Sequence, residues 1–159
     1  FLEGVKKDIL KNISKFIGED KKPQEQAGPR VIETKPWDNY RVNLFIDNSH
    51  TEGAPVIMDS NYSFSNIFGR LEYENYYGVL KTDYTMIRPG LLHEANGGYI
   101  IFQSNDLLTN PAVYDNLKKV LRNKELGIDN SMDQKSSMVM VSLKPEPIPN
   151  DLKVIIIWN

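Results

Sequence analysis

The stretch Pro89-Gly90-Leu91-Leu92-His93-Glu94-Ala95-Asn96-Gly97-Gly98-Tyr99-Ile100-Ile101-Phe102-Gln103-Ser104 decides the fold. Tyr99 to Phe102 is apolar at every position, the pattern of a strand covered on both faces, and the Gly97-Gly98 pair introduces it. Downstream, Asn110 and Pro111 supply an N-cap and a first-turn proline for a helix whose apolar face is Val113, Leu117, Val120 and Leu121 and which ends near Gly127. The chain then closes on Val154-Ile155-Ile156-Ile157-Trp158, a second fully apolar strand. Two such strands separated by a helix predict a mostly parallel α/β sheet, with 99–102 as its best core strand.

Working toward the N-terminus, Val42, Leu44, Phe45 and Ile46 form an apolar run closed by the turn residues Asp47-Asn48-Ser49, which predicts a first strand. Residues 54–58 read as a short extended piece, and periodicity leaves 65–71 open between helix and irregular chain. Leu2, Val5, Ile9, Ile13, Phe16 and Ile17 recur at helical spacing with Lys6, Lys7, Lys11 and Lys15 between them, predicting an amphipathic helix that stops at Gly18. The polar, proline-bearing stretch that follows reads as a linker. Two regions result: 1–36, an N-terminal helix and linker, and 37–159, an α/β core. Toward the far end, Met138 to Val141 and Ile128 flank a polar stretch in which two hairpin strands meet, before the rigid connector KPEPIPND.

The 159 residues carry 19 basic and 21 acidic side chains, a net charge of -2, so no long-range positive field favours nucleic acid. With no cysteine there is no disulfide, thiolate metal site or cysteine nucleophile. The longest apolar run is far too short to cross a bilayer and no charged-then-apolar leader opens the chain, which predicts a soluble cytoplasmic protein. An opening Phe1 and a closing strand predict an interior piece of a longer protein.

Catalytic chemistry is sparse. A phosphate-cradling GxxxxGK[ST] loop is absent from the sequence. Its usual companion is an apolar strand ending in two carboxylates, one holding magnesium through water and the other orienting the attacking water; here the strand runs into Gln103-Ser104. Asp106 is the one carboxylate nearby and reads as starting the next turn. His93 and Glu94 are neighbours, which point apart on a helix, and no third ligand stands at useful spacing, so the expectation is no metal and a partly exposed helical histidine. His50, in its polar turn, gets the same reading. Lys118, Lys119 and Arg122 form either a solvated helix face or a contact with a neighbouring subunit.

Two segments are more specific. VNLFIDNSHTEGAPVIMDSNYSFSNIFGRLEYENYYG, residues 42–78, is similar to the stretch before the Walker B strand in Lon proteases of the B type and their bacterial Lon-like relatives. IRPGLLHEANGGYIIF, residues 87–102, resembles the PG-hydrophobic-H-x-A-x-GG run that leads into Walker B in that family. LLTNPAVYDNLKKVLRNKELGI and MVMVSLKPEPIPNDLKVIII look like the helix after Walker B, the hairpin before sensor 1 and the sensor 1 strand. The resemblance covers about 40–159; the N-terminal helix resembles the family's helical insertion weakly, and is either its tail or a separate docking element.

The resemblance implies a partial AAA+ P-loop-type parallel sheet holding strands 2, 3 and 4 of the order 5-1-4-3-2, flanking helices and a pre-sensor-1 hairpin. It implies an ATP-driven hexameric unfoldase that uses ATP and Mg and threads polypeptide substrates into a serine-lysine peptidase. Carried over by position, Gln103 and Ser104 stand at a degenerate Walker B pair, Asn159 at sensor 1, and Tyr76, Tyr77 and Gly78 where a substrate-gripping pore loop is expected. The two tyrosines either grip an extended chain or pack on the domain. No catalytic residue is expected in this chain. Loss of the acidic pair opens an alternative reading, a non-hydrolysing AAA-like scaffold or interaction module.

Overall fold

The computed structural model describes residues 2–17, 36–76, 79–128 and 143–158, and the chain divides into two compact units, Phe1–Val42 and Asn43–Asn159. The linker stretch from 18 to 35, the expected hairpin strand at 138–141, Tyr77, Gly78 and Asn159 lie outside the described residues.

In the first unit the expected single helix is two, α1 (Leu2–Lys11) and α2 (Ile13–Ile17). The break falls at Asn12, whose side-chain amide donates to the Asp8 carbonyl at 3.0 Å and to the Asp8 carboxylate at 3.1 Å. An asparagine that competes in this way for its own helix's backbone acceptor disfavours continuation. The Tyr40 hydroxyl donates to the other Asp8 oxygen at 2.6 Å, and the Tyr40 ring lies 6.0 Å from that of Phe16.

The second unit runs β1 (Val56–Met58), α3 (Phe64–Phe68), β2 (Arg70–Leu71), β3 (Glu74–Tyr76), β4 (Val79–Lys81), β5 (Ile87–Arg88), α4 (Leu91–Glu94), β6 (Tyr99–Gln103), α5 (Ser104–Thr109), α6 (Pro111–Asn123), β7 (Glu125–Leu126), β8 (Ile148–Pro149) and β9 (Lys153–Ile157). Its main sheet has the order β1-β6-β9. Both pairings are parallel, with Val56 opposite Tyr99 and Ile100 opposite Val154. This is the partial AAA+ arrangement of three adjacent parallel strands, with the 99–103 segment central. Three two-stranded antiparallel pairs, β2-β5, β3-β4 and β7-β8, flank it.

Ile100 and Phe102 point into a core with Ile67, Phe68, Leu92, Leu107, Val113 and Leu117, so one face of β6 is fully buried. Tyr99, Ile101 and Gln103 are half-buried, and β6 is not sealed equally on its two sides. Its start is fixed by Gly98: a Cβ there falls 2.0 Å from the Pro55 carbonyl oxygen, while the Tyr99 N–H donates to that same oxygen at 2.8 Å. Only glycine lets the chain ahead of β1 approach so closely. A second close approach joins Gly90 to α3, where a Cβ falls 2.3 Å from the Gly69 nitrogen.

Three readings need correction. Residues 42–46 are not a strand; the chain from 41 to 48 joins no ladder, and the edge strand is Val56–Met58. The Asn43 side chain donates to the Tyr84 and Ile87 carbonyls at 3.0 and 3.1 Å, which pins this chain by a side chain, while Val42 and Leu44 remain exposed. Nor is β9 a buried strand: Ile155, Ile156 and Ile157 stay 43%, 42% and 41% exposed, and among the described residues β9 pairs with β6 alone. Finally, α6 starts as read, with the Asn110 side chain accepting from the Val113 N–H, but it stops before Gly127. Lys124 takes the left-handed cap at φ 55° and donates its N–H to the Val120 carbonyl.

Candidate functional site

Parallel α/β sheets present their ligand sites beyond the carboxyl ends of their strands. On β6 that end is Gln103, followed at once by Ser104, the first residue of α5. The Gln103 N–H donates to the Tyr62 hydroxyl at 3.0 Å. Tyr62 is itself buried, its ring tilted against Phe102 at 5.5 Å and its carbonyl accepting from the Asn110 side chain at 3.5 Å. Ser104 is 1% exposed, and its Oγ has no hydrogen-bond partner among the described residues. Such an orphaned buried hydroxyl is uncommon.

The donor set here does not suit a divalent cation held in the usual way. Magnesium sites are built on one or two carboxylates with water and phosphate oxygens completing the shell. Gln103 offers an amide and Ser104 a hydroxyl, Asp106 is exposed on α5, and the described residues hold no cluster of three or more His, Cys, Asp or Glu side chains.

Tyr76 is the last residue of β3 and stands opposite Val79, the first residue of its antiparallel partner β4. Ahead of β3, Glu72 takes Arg70 on one carboxylate oxygen at 2.8 Å and Arg88 on the other at 2.7 Å. Arg70 and Arg88 stand directly opposite each other on β2 and β5. Like charges so placed repel, and the carboxylate between them relieves that. The two arginines hold the Glu72 carboxyl below the usual carboxylate range. On α6, Lys118 pairs with Asp115 at 2.8 Å and lies 4.5 Å from the Tyr114 ring centre, while Lys119 and Arg122 face solvent.

His93 is not the partly exposed histidine that the sequence suggests. It is 4% exposed, its Nδ1 accepts the Gly90 N–H at 3.1 Å, and the Phe45 ring meets it edge to face at 5.0 Å. Burial pushes its pKa down to about 4, against a smaller opposing effect of the Gly90 hydrogen bond. At neutral pH it is an uncharged packing group. Helix periodicity misses this because α4 is a single turn of four residues, all but Glu94 buried. Tyr62 was also missed, since nothing in local sequence pairs residue 62 with residue 103.

Residues 52–159 match the family model described as LonB-like, AAA domain. The chain belongs to the LonB-like AAA domain family. No curated protein matches it. As a LonB-like domain it is an AAA+ module of Lon type, a class that generally binds ATP with Mg and works on polypeptides as an oligomer. In this LonB-like domain the 99–103 strand, the 153–157 strand and the 56–58 strand carry the sheet. No helix among the described residues is long and apolar enough to cross a membrane.

Proposed function

We propose that this LonB-like domain is part of the unfoldase of a cytoplasmic, hexameric, ATP-dependent serine protease, and that its own Walker B position does not hydrolyse ATP. The supporting observation is the end of β6: the central parallel strand of an AAA domain runs into Gln103 and Ser104, neither of which has a carboxylate. ATP and Mg belong to the parent assembly in this reading, and the peptidase residues lie outside this chain. Residues 1–36 are the N-terminal helix and proline-rich linker at the tail of a helical insertion ahead of the 37–159 core, and Asn159 takes the sensor 1 position. Tyr76, Tyr77 and Gly78 grip substrate, the two aromatic rings packing on an extended chain without reading its sequence.

The test uses the full-length parent protein. Replacing Tyr76 and Tyr77 by alanine is expected to abolish ATP-dependent degradation of a folded tagged substrate, a loss of tenfold or more, while cleavage of a small fluorogenic peptide stays intact. Unchanged degradation of the folded substrate refutes the grip. A second reading is favoured by the same missing carboxylates: a scaffold that holds partners without nucleotide. Equilibrium titration of the parent with ATP separates the two, because the protease reading requires saturable binding and ATP-stimulated proteolysis, and the scaffold reading requires neither.

A further inference from the structure

At the opposite end of the strands from Gln103, an open cavity of about 360 Å³ lies against the start of β1. Its walls include Phe45, Asp47, Pro55, Val56, Pro89 and Glu94. The volume falls in the range of roughly 300–1,000 Å³ typical of ligand pockets. Two of its lining residues, Asp47 and Glu94, are acidic and none of its described lining residues is basic. Asp47 stays ionised because the Ser49 hydroxyl and, less strongly, the Ser49 N–H donate to it and hold its carboxyl below the usual range.

The cavity borders a free sheet edge. Among the described residues β1 pairs only with β6. Because the Pro55 carbonyl accepts from Tyr99, the groups turned toward β6 are those of Pro55 and Ile57. Alternation in a parallel ladder therefore turns the N–H and C=O of Val56 and Met58 outward. The side chains of these two residues are 61% and 55% exposed. Phe45 to Asn48 also line the cavity, in a chain anchored by Asn43 to the Tyr84 and Ile87 carbonyls and by Phe45 on His93.

We propose that this cleft is a docking site for an extended polypeptide segment that adds a strand to the outer edge of β1 and places a lysine or arginine between Asp47 and Glu94. Main-chain bonds to Val56 and Met58 supply affinity, and the carboxylates select a cationic side chain over an anionic one. The site lies on residues 45–94 and does not depend on nucleotide at the other end of the sheet.

The experiment follows amide shifts of the 159-residue chain during titration with an acetylated, amidated pentapeptide of alternating valine and lysine. Three comparison probes are the valine-glutamate peptide, a backbone N-methylated valine-lysine peptide and N-acetyl-lysine methylamide. Saturable shifts confined to Phe45–Thr51, Val56–Met58 and Glu94 are expected with the first probe alone. The Asp47→Asn, Glu94→Gln double variant is expected to weaken that binding about tenfold. Equal binding of the glutamate peptide overturns the charge assignment, and equal binding of the N-methylated peptide overturns strand addition. Equal binding of N-acetyl-lysine methylamide identifies a simple cation pocket and overturns the polypeptide assignment. Nucleotide titration of the same sample is read separately, so failure here leaves the unfoldase reading unaffected and the converse holds.

Discussion

Single residues hold the account's most exposed commitments. His93 sits buried and neutral with a pKa of about 4 against an ordinary 6.5. A histidine depressed on folding contributes stability that is present above its unfolded pKa and lost as pH falls through 6.5 toward about 4. A shift of that size corresponds to about 3 kcal/mol between the two pH limits. Urea denaturation at pH 7.5 and pH 4.5 measures the loss, and His93→Phe is expected to flatten the part of the slope that falls within this window. An unchanged slope in the variant contradicts the burial of His93. Gly98 makes an independent claim, since any Cβ overlaps the Pro55 carbonyl. The atoms it meets are the Pro55 backbone and its rigid ring, not the end of a flexible side chain, so Gly98→Ala is expected to cost roughly 3 kcal/mol or more in the same assay. A cost below about 1 kcal/mol contradicts the contact.

Elements show what the sequence discloses and what it withholds. The strand at 99–103 was legible because four consecutive apolar residues follow a glycine pair, and α6 because Asn110-Pro111 opens a strongly periodic face. The run at 42–46 carries the same apolar signal, yet a side chain, Asn43, anchors it where a ladder was expected. Composition does not distinguish these outcomes, because strand formation depends on a partner that the local sequence does not name. The candidate site was legible in part: Gln103 and Ser104 follow directly from the end of the apolar strand, whereas Tyr62 reaches Gln103 across 41 positions. On β9, three consecutive isoleucines and Trp158 remain exposed on an edge with one charged residue, Lys153. Edges of this kind pair with other chains. Sedimentation velocity is expected to show concentration-dependent self-association that Ile156→Lys abolishes; a monomer at all concentrations contradicts edge pairing.

At the scale of the whole molecule, family, sheet order and chemistry are linked by one arrangement. The Lon-like resemblance of 42–78 and 87–102 concerns segments that hold β1, the β2-β5 pair, β3 and β6, and all of these elements fall within the family match over 52–159. Parallel order β1-β6-β9 sets β6 between two neighbours, and its carboxyl end bears an amide and a hydroxyl, at the position that the proposed function reads as Walker B. The most direct test is a set of cross-strand NOEs between 99–103 and 153–157 in the labelled chain. Parallel-ladder contacts that pair Ile100 with Val154 and Phe102 with Ile156 are expected. Antiparallel contacts, or none between the two segments, contradict it.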